Sequence, residues 1–306
     1  MTEKVGKVTL DYSCYPGEDF YCDGAVEDEL LDIVKEYDES DFNRVIEERR
    51  KWPVLYHLSH VRENIIEWFP MDKDASVLEI GSGCGAVTGA LARKAGQVTC
   101  IELSKKRSMI NAYRHKDYDN INILLGNFEE VEKHLTEKYD YITLIGVFEY
   151  AGLYISSDNP FKNFLEIISK HLKPGGSIIM AIENRMGLKY WAGCKEDHVG
   201  LYFEGIEGYR ATDSVKTFSK KELEQILVSA GMSDYTFYYP YPDYKFPLRI
   251  YSDDYLPKCG ELDNNSCNLD GERMLLFNDT LAFDEIISNG LFPMYSNSFL
   301  LEIKKG

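Results

Sequence analysis

Two groups of residues in this chain have the types and spacing to do chemistry. The first is Glu79-x-Gly81-x-Gly83-x-Gly85, where the apolar run Val77-Leu78-Glu79-Ile80 breaks into glycines and resumes as Val87-Thr88-Gly89-Ala90-Leu91-Ala92. A short buried strand that stops in glycines and restarts as a helix is how open α/β sheets build a ligand crevice. Gly81, Gly83 and Ala86 also satisfy the dinucleotide fingerprint, but a pyrophosphate on this turn would meet the Glu79 carboxylate as like charge. A cationic ligand reverses the sign. The second group is His198 beside Asp197, in a polar stretch that follows Glu183-Asn184-Arg185. Imidazole titrates near working pH, so His198 suits a general base, with Glu149 as the second choice.

A further acid narrows the ligand. Val98-Thr99-Cys100-Ile101 is a second apolar run and ends in Glu102, about 20 residues beyond the glycines, where an acid accepts hydrogen bonds from ribose hydroxyls. Glu102 fits NAD and any other adenosyl ligand alike, whereas Glu79 favours one with positive charge and no phosphate. S-adenosylmethionine, with its sulfonium and ammonium, meets that description. Glu79-x-Gly81-x-Gly83-x-Gly85 resembles the first motif of the class I S-adenosylmethionine-dependent methyltransferases, and Lys173-Pro174-Gly175-Gly176 before the fifth strand is typical of them. The resemblance covers roughly residues 75 to 240 plus the last strand. It implies that Glu79, Gly81, Ser82, Gly83, Cys84, Gly85, Glu102 and Leu103 hold the cofactor and that Asn127 and Phe128 meet the adenine. Gly146 and Val147 would line the methyl group, and S-adenosylhomocysteine would be the product. Asn127 departs from the acid more common there, and a helix cap is its other reading.

The elements that must position these residues follow from periodicity. From Val77 onward, apolar runs at 77–80, 98–101, 121–125, 139–145 and 177–182 alternate with helical stretches, and such repeated βα implies a parallel, doubly wound sheet. An aromatic strand at 235–239 and a last strand at 298–303, inserted antiparallel, complete the expected α/β fold, a Rossmann-like seven-stranded sheet. Residues 1–75 read as an N-terminal helical extension, with helices over 25–37, after Ser40, and from Pro53 to Phe69. Residues 76–306 read as the methyltransferase domain, carrying lid insertions at about 184–217 and 240–293.

The acceptor is addressed by what the fourth strand lacks. Enzymes acting on amide or base nitrogens carry Asp/Asn-Pro-Pro-aromatic there, whereas this chain has Gly146-Val147-Phe148-Glu149-Tyr150, which favours a hydroxyl. Tyr150, Asn184, Arg185, Tyr202 and Arg210 are candidates for acceptor binding, Arg being suited to anions. Trp52-Pro53 with Leu58-Ser59, Glu183-Asn184-Arg185-Met186-Gly187 and Tyr239-Pro240-Tyr241-Pro242-Asp243-Tyr244 resembles methyltransferase domains of bacterial surface-polysaccharide biosynthesis. A small-molecule or saccharide-like acceptor is therefore expected.

Composition sets the outer limits. A formal charge of -17 over 306 residues and a pI near 4.8 disfavour nucleic acid as a partner. No run is apolar for membrane-spanning length and no leader pattern opens the chain, so a cytoplasmic setting is expected. The seven cysteines form no CxxC pair; Cys14/Cys22 and Cys259/Cys267 share a spacing but lack histidines at metal distance, and no metal is expected. A homodimer, or fusion to another biosynthetic domain, is the expected range of assembly. Two other functions compete: an NAD(P)-dependent oxidoreductase or epimerase, disfavoured by the absence of a YxxxK pair near the fourth strand, and a non-catalytic S-adenosylmethionine-binding partner or regulatory module.

Overall fold

Ten strands, three more than the expected seven, run through the described residues of the computed structural model, which are 1–19, 24–210, 215–265 and 273–305. Cys22 and Cys267 lie outside these residues. The chain divides into two units, Met1–Leu144 with Lys170–Ser177, and Ile145–Ser169 with Ile178–Gly306.

In the first unit β1 (Thr2–Val5), β2 (Val8–Cys14), β3 (Ser76–Ile80), β4 (Gln97–Glu102), β5 (Ile121–Gly126) and β6 (Tyr139–Ile145) lie in the order β1-β2-β5-β4-β3-β6. β1 and β2 form an antiparallel hairpin, while β2 with β5, β5 with β4, β4 with β3 and β3 with β6 are parallel. The hairpin was not expected, because Thr2, Glu3 and Lys4 give an exposed, polar edge. Its inner face is apolar at period two, with Val8 and Leu10 fully buried. The parallel register sets Glu79 opposite Cys100 on one side and Thr143 on the other.

The helices before β3 bury one stripe each. Leu30, Ile33 and Val34 of Ala25–Glu36, Phe42 and Val45 of Phe42–Arg49, and Val54 and Leu58 of Trp52–Leu58 pack in one cluster with Ile110 and with Cys84 of the glycine bend. The helix expected to run unbroken to Phe69 stops at Leu58. Ser59 takes an extended backbone and its hydroxyl accepts the Val61 N–H, starting the 3₁₀ turn His60–Glu63 ahead of Asn64–Glu67. A hydroxyl competing for a backbone donor explains the break.

β7 (Leu172–Glu183) runs from the first unit into the second, so Lys173–Gly176 lies within the strand and not in a turn ahead of it. β8 (Tyr235–Tyr241), β9 (Arg249–Ser252) and β10 (Ser298–Lys304) follow in the order β7-β10-β8-β9. The last strand pairs antiparallel with β8, as expected. β9 arises inside the second insertion and pairs antiparallel with β8. The helix Lys220–Ser229 opens on a capping box between Ser219 and Glu222. Among the described residues no helix is long and apolar enough to cross a membrane.

Candidate active site

The glycine bend of the first unit is held open by its backbone. Gly81, Gly83 and Gly85 have φ of 70°, 53° and 79°, a region that a side chain makes costly. A Cβ built on Gly83 meets nothing within 4 Å, whereas one on Gly85 would lie 2.5 Å from Asn111 Oδ1 and 2.8 Å from His115 Cε1. Gly83 thus faces open space and Gly85 faces packed protein. Glu102 ties the bend to the next strand: Oε2 accepts the Gly83 N–H at 2.8 Å and Oε1 the Ser104 N–H at 2.9 Å. Ser82 and Cys84 are buried beside it, and Leu103 is half-buried.

Glu79 is a buried carboxyl with uncharged hydrogen-bond donors. Thr88 Oγ1 donates to its Oε2 at 2.6 Å and Cys100 Sγ at 3.4 Å, and Asn111 Nδ2 holds Thr88 Oγ1 at 3.1 Å. Burial pushes the Glu79 carboxyl up to about 7; the bonds from Thr88 and Cys100 act the other way, and the Glu102 charge adds to the rise. A carboxyl starved of counter-charge next to an unobstructed glycine bend fits a cationic adenosyl ligand, and it would repel a pyrophosphate. Asn127 caps the helix Phe128–Glu132, its Oδ1 accepting the Glu129 N–H at 3.1 Å, and Phe128 is buried.

The chemistry-bearing residues of the second unit converge on His198. Gly146 and Val147 follow β6; Gly146 has φ 68° and its N–H donates to Ala181 O at 2.9 Å, while a Cβ there would come 2.6 Å from the Tyr244 hydroxyl. Glu149 sits on the 3₁₀ turn Phe148–Tyr150 and Glu183 ends β7. His198 Nε2 lies 3.4 Å from Glu149 Oε1 and 3.9 Å from Glu183 Oε2, and its Nδ1 lies 3.1 Å from Glu196 Oε1. Glu196, not the adjacent Asp197, orients the ring. Its carboxylate also accepts the backbone N–H groups of His198 and Val199, at 2.7 and 2.6 Å, and the Tyr209 hydroxyl at 3.1 Å. Asp197 turns instead to Lys189 at 2.9 Å, Lys245 at 2.5 Å and the Tyr190 hydroxyl at 2.5 Å. Lys245 Nζ also pairs with Glu183 Oε1 at 2.8 Å.

These charges decide the protonation of His198. Burial opposes its positive charge, but the Glu183 charge and the contacts with Glu149 and Glu196 outweigh burial and hold the imidazole well above its ordinary range. Burial raises Glu149, while the Lys245 and His198 charges hold Glu183 down against burial. These carboxylates thus favour the charged form of the His198 imidazole.

The candidate acceptor residues separate. Tyr150 sits edge-on to the His198 ring, with centroids 5.4 Å apart. Tyr202 bridges Lys195, whose ammonium lies 5.3 Å over its ring, and Arg210 is exposed. Asn184 and Arg185 serve the scaffold. Asn184 Nδ2 donates to Met294 O at 2.8 Å and Ser296 O at 2.7 Å and its Oδ1 accepts the Met186 N–H at 3.0 Å; Arg185 reaches Glu222 at 2.7 Å and Gly205 O at 3.0 Å. Tyr239, Tyr241 and Tyr244 are buried, so the aromatic density there is packing. Asn184→Ala would leave two carbonyls and an amide without these partners and should lower stability by about 2–4 kcal/mol, read by urea denaturation. Glu183, Lys189 and Lys245 are not legible as site residues in the sequence because they gather only in the fold; Glu196, two residues before His198, was the one within reach of a local reading.

Residues 78–178 match the model of a family described as a methyltransferase domain. A ribosomal RNA small subunit methyltransferase A of Syntrophus aciditrophicus is 28% identical over 101 residues, 33% of this chain and 33% of that protein. A ubiquinone biosynthesis O-methyltransferase of Rickettsia typhi is 26% identical over 185 residues, 58% of this chain and 70% of that protein. The human mitochondrial ubiquinone biosynthesis O-methyltransferase is 25% identical over 186 residues, 56% of this chain. The chain thus spans from a third to 70% of these curated relatives, with 47% for the human protein.

Proposed function

Because this chain carries a class I, S-adenosylmethionine-dependent methyltransferase domain, we propose that it methylates a hydroxyl oxygen of a small-molecule or saccharide-like acceptor. The observation that carries this reading is the end of β6. Gly146-Val147-Phe148-Glu149-Tyr150 offers no Asp/Asn-Pro-Pro-aromatic frame for a planar nitrogen, and it places a buried carboxyl and an edge-on tyrosine against His198. Similarity to enzymes named for O-methylation supports the choice of oxygen. The formal charge of -17 weighs against RNA as acceptor despite the ribosomal RNA relative.

Glu79, Gly81, Ser82, Gly83, Cys84, Gly85, Glu102, Leu103, Asn127 and Phe128 of the first unit would hold the cofactor; for Gly146 and Val147 a role at the methyl group rests on the sequence resemblance. Bound, the cofactor supplies an electrophilic methyl group. The chain aligns the acceptor, and alignment accounts for much of the acceleration in such transfers. Glu149 is the group proposed to receive the hydroxyl proton, with the His198 imidazole beside its carboxyl and Tyr150 against the acceptor. The saccharide reading rests on the sequence resemblance alone, and a cytoplasmic setting is supported by the buried free thiols of Cys84 and Cys100.

The test is incubation with methyl-labelled S-adenosylmethionine and a panel of phenols, sugars, carboxylates, amines and ribosomal RNA. The expected product is a methyl ether, with Glu149→Gln and His198→Ala lowering kcat by about 100-fold or more. Label recovered only on nitrogen or in RNA would contradict the reading.

A further inference from the structure

The second unit contains a cluster whose geometry asks for a cation. One ligand atom each from Glu149, Glu183 and His198 falls within 4.8 Å of the others. Glu149 and Glu183 are 1% and 0% exposed, and Glu149 Oε2 and Glu183 Oε2 have no hydrogen-bond partner. Leaving a carboxylate oxygen unpaired in the interior is expensive, so such atoms call for a partner. His198 Nε2 does not provide it: it lies 3.4 Å from the other Glu149 oxygen, Oε1, and 3.9 Å from Glu183 Oε2, longer than good N–H···O bonds.

The other side of the imidazole completes the pattern. With Nδ1 3.1 Å from Glu196 Oε1, the ring is oriented by a carboxylate, and Nε2 is presented to the Glu149 and Glu183 carboxyl groups. Metal-bound histidines are held in this way. Glu196 is itself fixed by two backbone N–H groups and the Tyr209 hydroxyl. Charge points the same way. Among the described residues of this network, Glu149, Glu183, Glu196, Asp197 and Asp243 outnumber the cationic groups, Lys189, Lys245 and the His198 imidazole, and a divalent cation would offset the excess.

We propose that Glu149, Glu183 and His198 bind one divalent cation of the Mg²⁺/Mn²⁺ class. Two hard oxygens with one nitrogen and no sulfur suit that class, with the nitrogen favouring Mn²⁺. Three protein ligands leave coordination positions open. Resting on the O-methylation reading above, those positions define the acceptor: a molecule with two neighbouring oxygens, such as a catechol or a vicinal diol, can occupy them together. The site was invisible in the sequence because its ligands come from the end of β6, the end of β7 and a loop.

Mn²⁺ alone is the probe, titrated into the protein and followed by the electron paramagnetic resonance of the free aqueous ion. The expected result is one Mn²⁺ bound per chain, with Glu183→Gln and His198→Ala each weakening binding by more than about 100-fold. S-adenosylhomocysteine affinity and near-ultraviolet circular dichroism would serve as controls for folding in those variants. A free-ion signal undiminished by the wild-type protein would overturn the proposal without reference to any variant, and so would equal binding by wild type and folded variants. Because Mn²⁺ binding is read without acceptor or methyl transfer, loss of the cation site and loss of the O-methylation reading are separate results. Methyl ether formation that persists fully in chelator would remove the cation and leave the reaction.

Discussion

Gly83→Leu is expected to lower affinity for S-adenosylhomocysteine by more than about 100-fold, or about 2.7 kcal/mol, while the protein stays folded. The reason is the contrast between two glycines two residues apart. Both have positive φ, 53° at Gly83 and 79° at Gly85, so either substitution carries backbone strain of about 1–2 kcal/mol. Only at Gly83 is the added side chain met by open space, which is where the cofactor must lie close to the backbone. At Gly85 even a methyl group would overlap Asn111 Oδ1 and His115 Cε1. Gly85→Ala should therefore lower stability by about 3 kcal/mol or more. Calorimetric titration and urea denaturation of the two variants separate the effects. Undiminished affinity in Gly83→Leu would show that the ligand lies elsewhere.

Cofactor binding should also strengthen as pH rises toward and through about 7, and then level off. Glu79 is fully buried among uncharged donors, and its carboxyl is pushed up to about 7 by that burial. A bound ammonium or sulfonium favours the carboxylate, so below about pH 7 binding must drive off a proton. Affinity then falls about tenfold for each pH unit, until the pH reaches the lower pKa of the complex. The same group sets the stability of the unliganded protein. An acid whose folded pKa lies above its ordinary 4.5 contributes stability that is complete below that value. The contribution is lost as pH rises to about 7, a change of about 3 kcal/mol. Glu79→Gln should flatten the pH profile of binding and lower the affinity at high pH. A profile that is already flat in the wild-type protein would contradict this role for Glu79.

The parts of the fold that were legible in the sequence are those specified locally. β3 to β6 are apolar runs closed by glycine or an acid, and the break into Gly81, Gly83 and Gly85 marks the bend whatever happens elsewhere in the chain. Asn127 carried two readings and the structure displays the cap, a contact made with its own helix. The hairpin of β1 and β2 was hidden by a charged edge strand, and the break at Ser59 by a hydroxyl within an otherwise helical pattern. The His198 surroundings were the least legible. Sequence adjacency left open whether Asp197 orients it; Lys189 and Lys245 hold that carboxylate and Glu196 contacts the ring. Which neighbour faces the ring depends in part on Lys245, 48 positions from Asp197, and no local pattern encodes it.

The claim on which the rest depends is that the first unit binds a positively charged adenosyl ligand and no diphosphate. A calorimetric titration of the purified protein with S-adenosylhomocysteine and, separately, with NAD at about pH 8 tests it most directly. One-to-one binding of S-adenosylhomocysteine and no heat with NAD are expected. Saturation by NAD, with no response to S-adenosylhomocysteine, would contradict it.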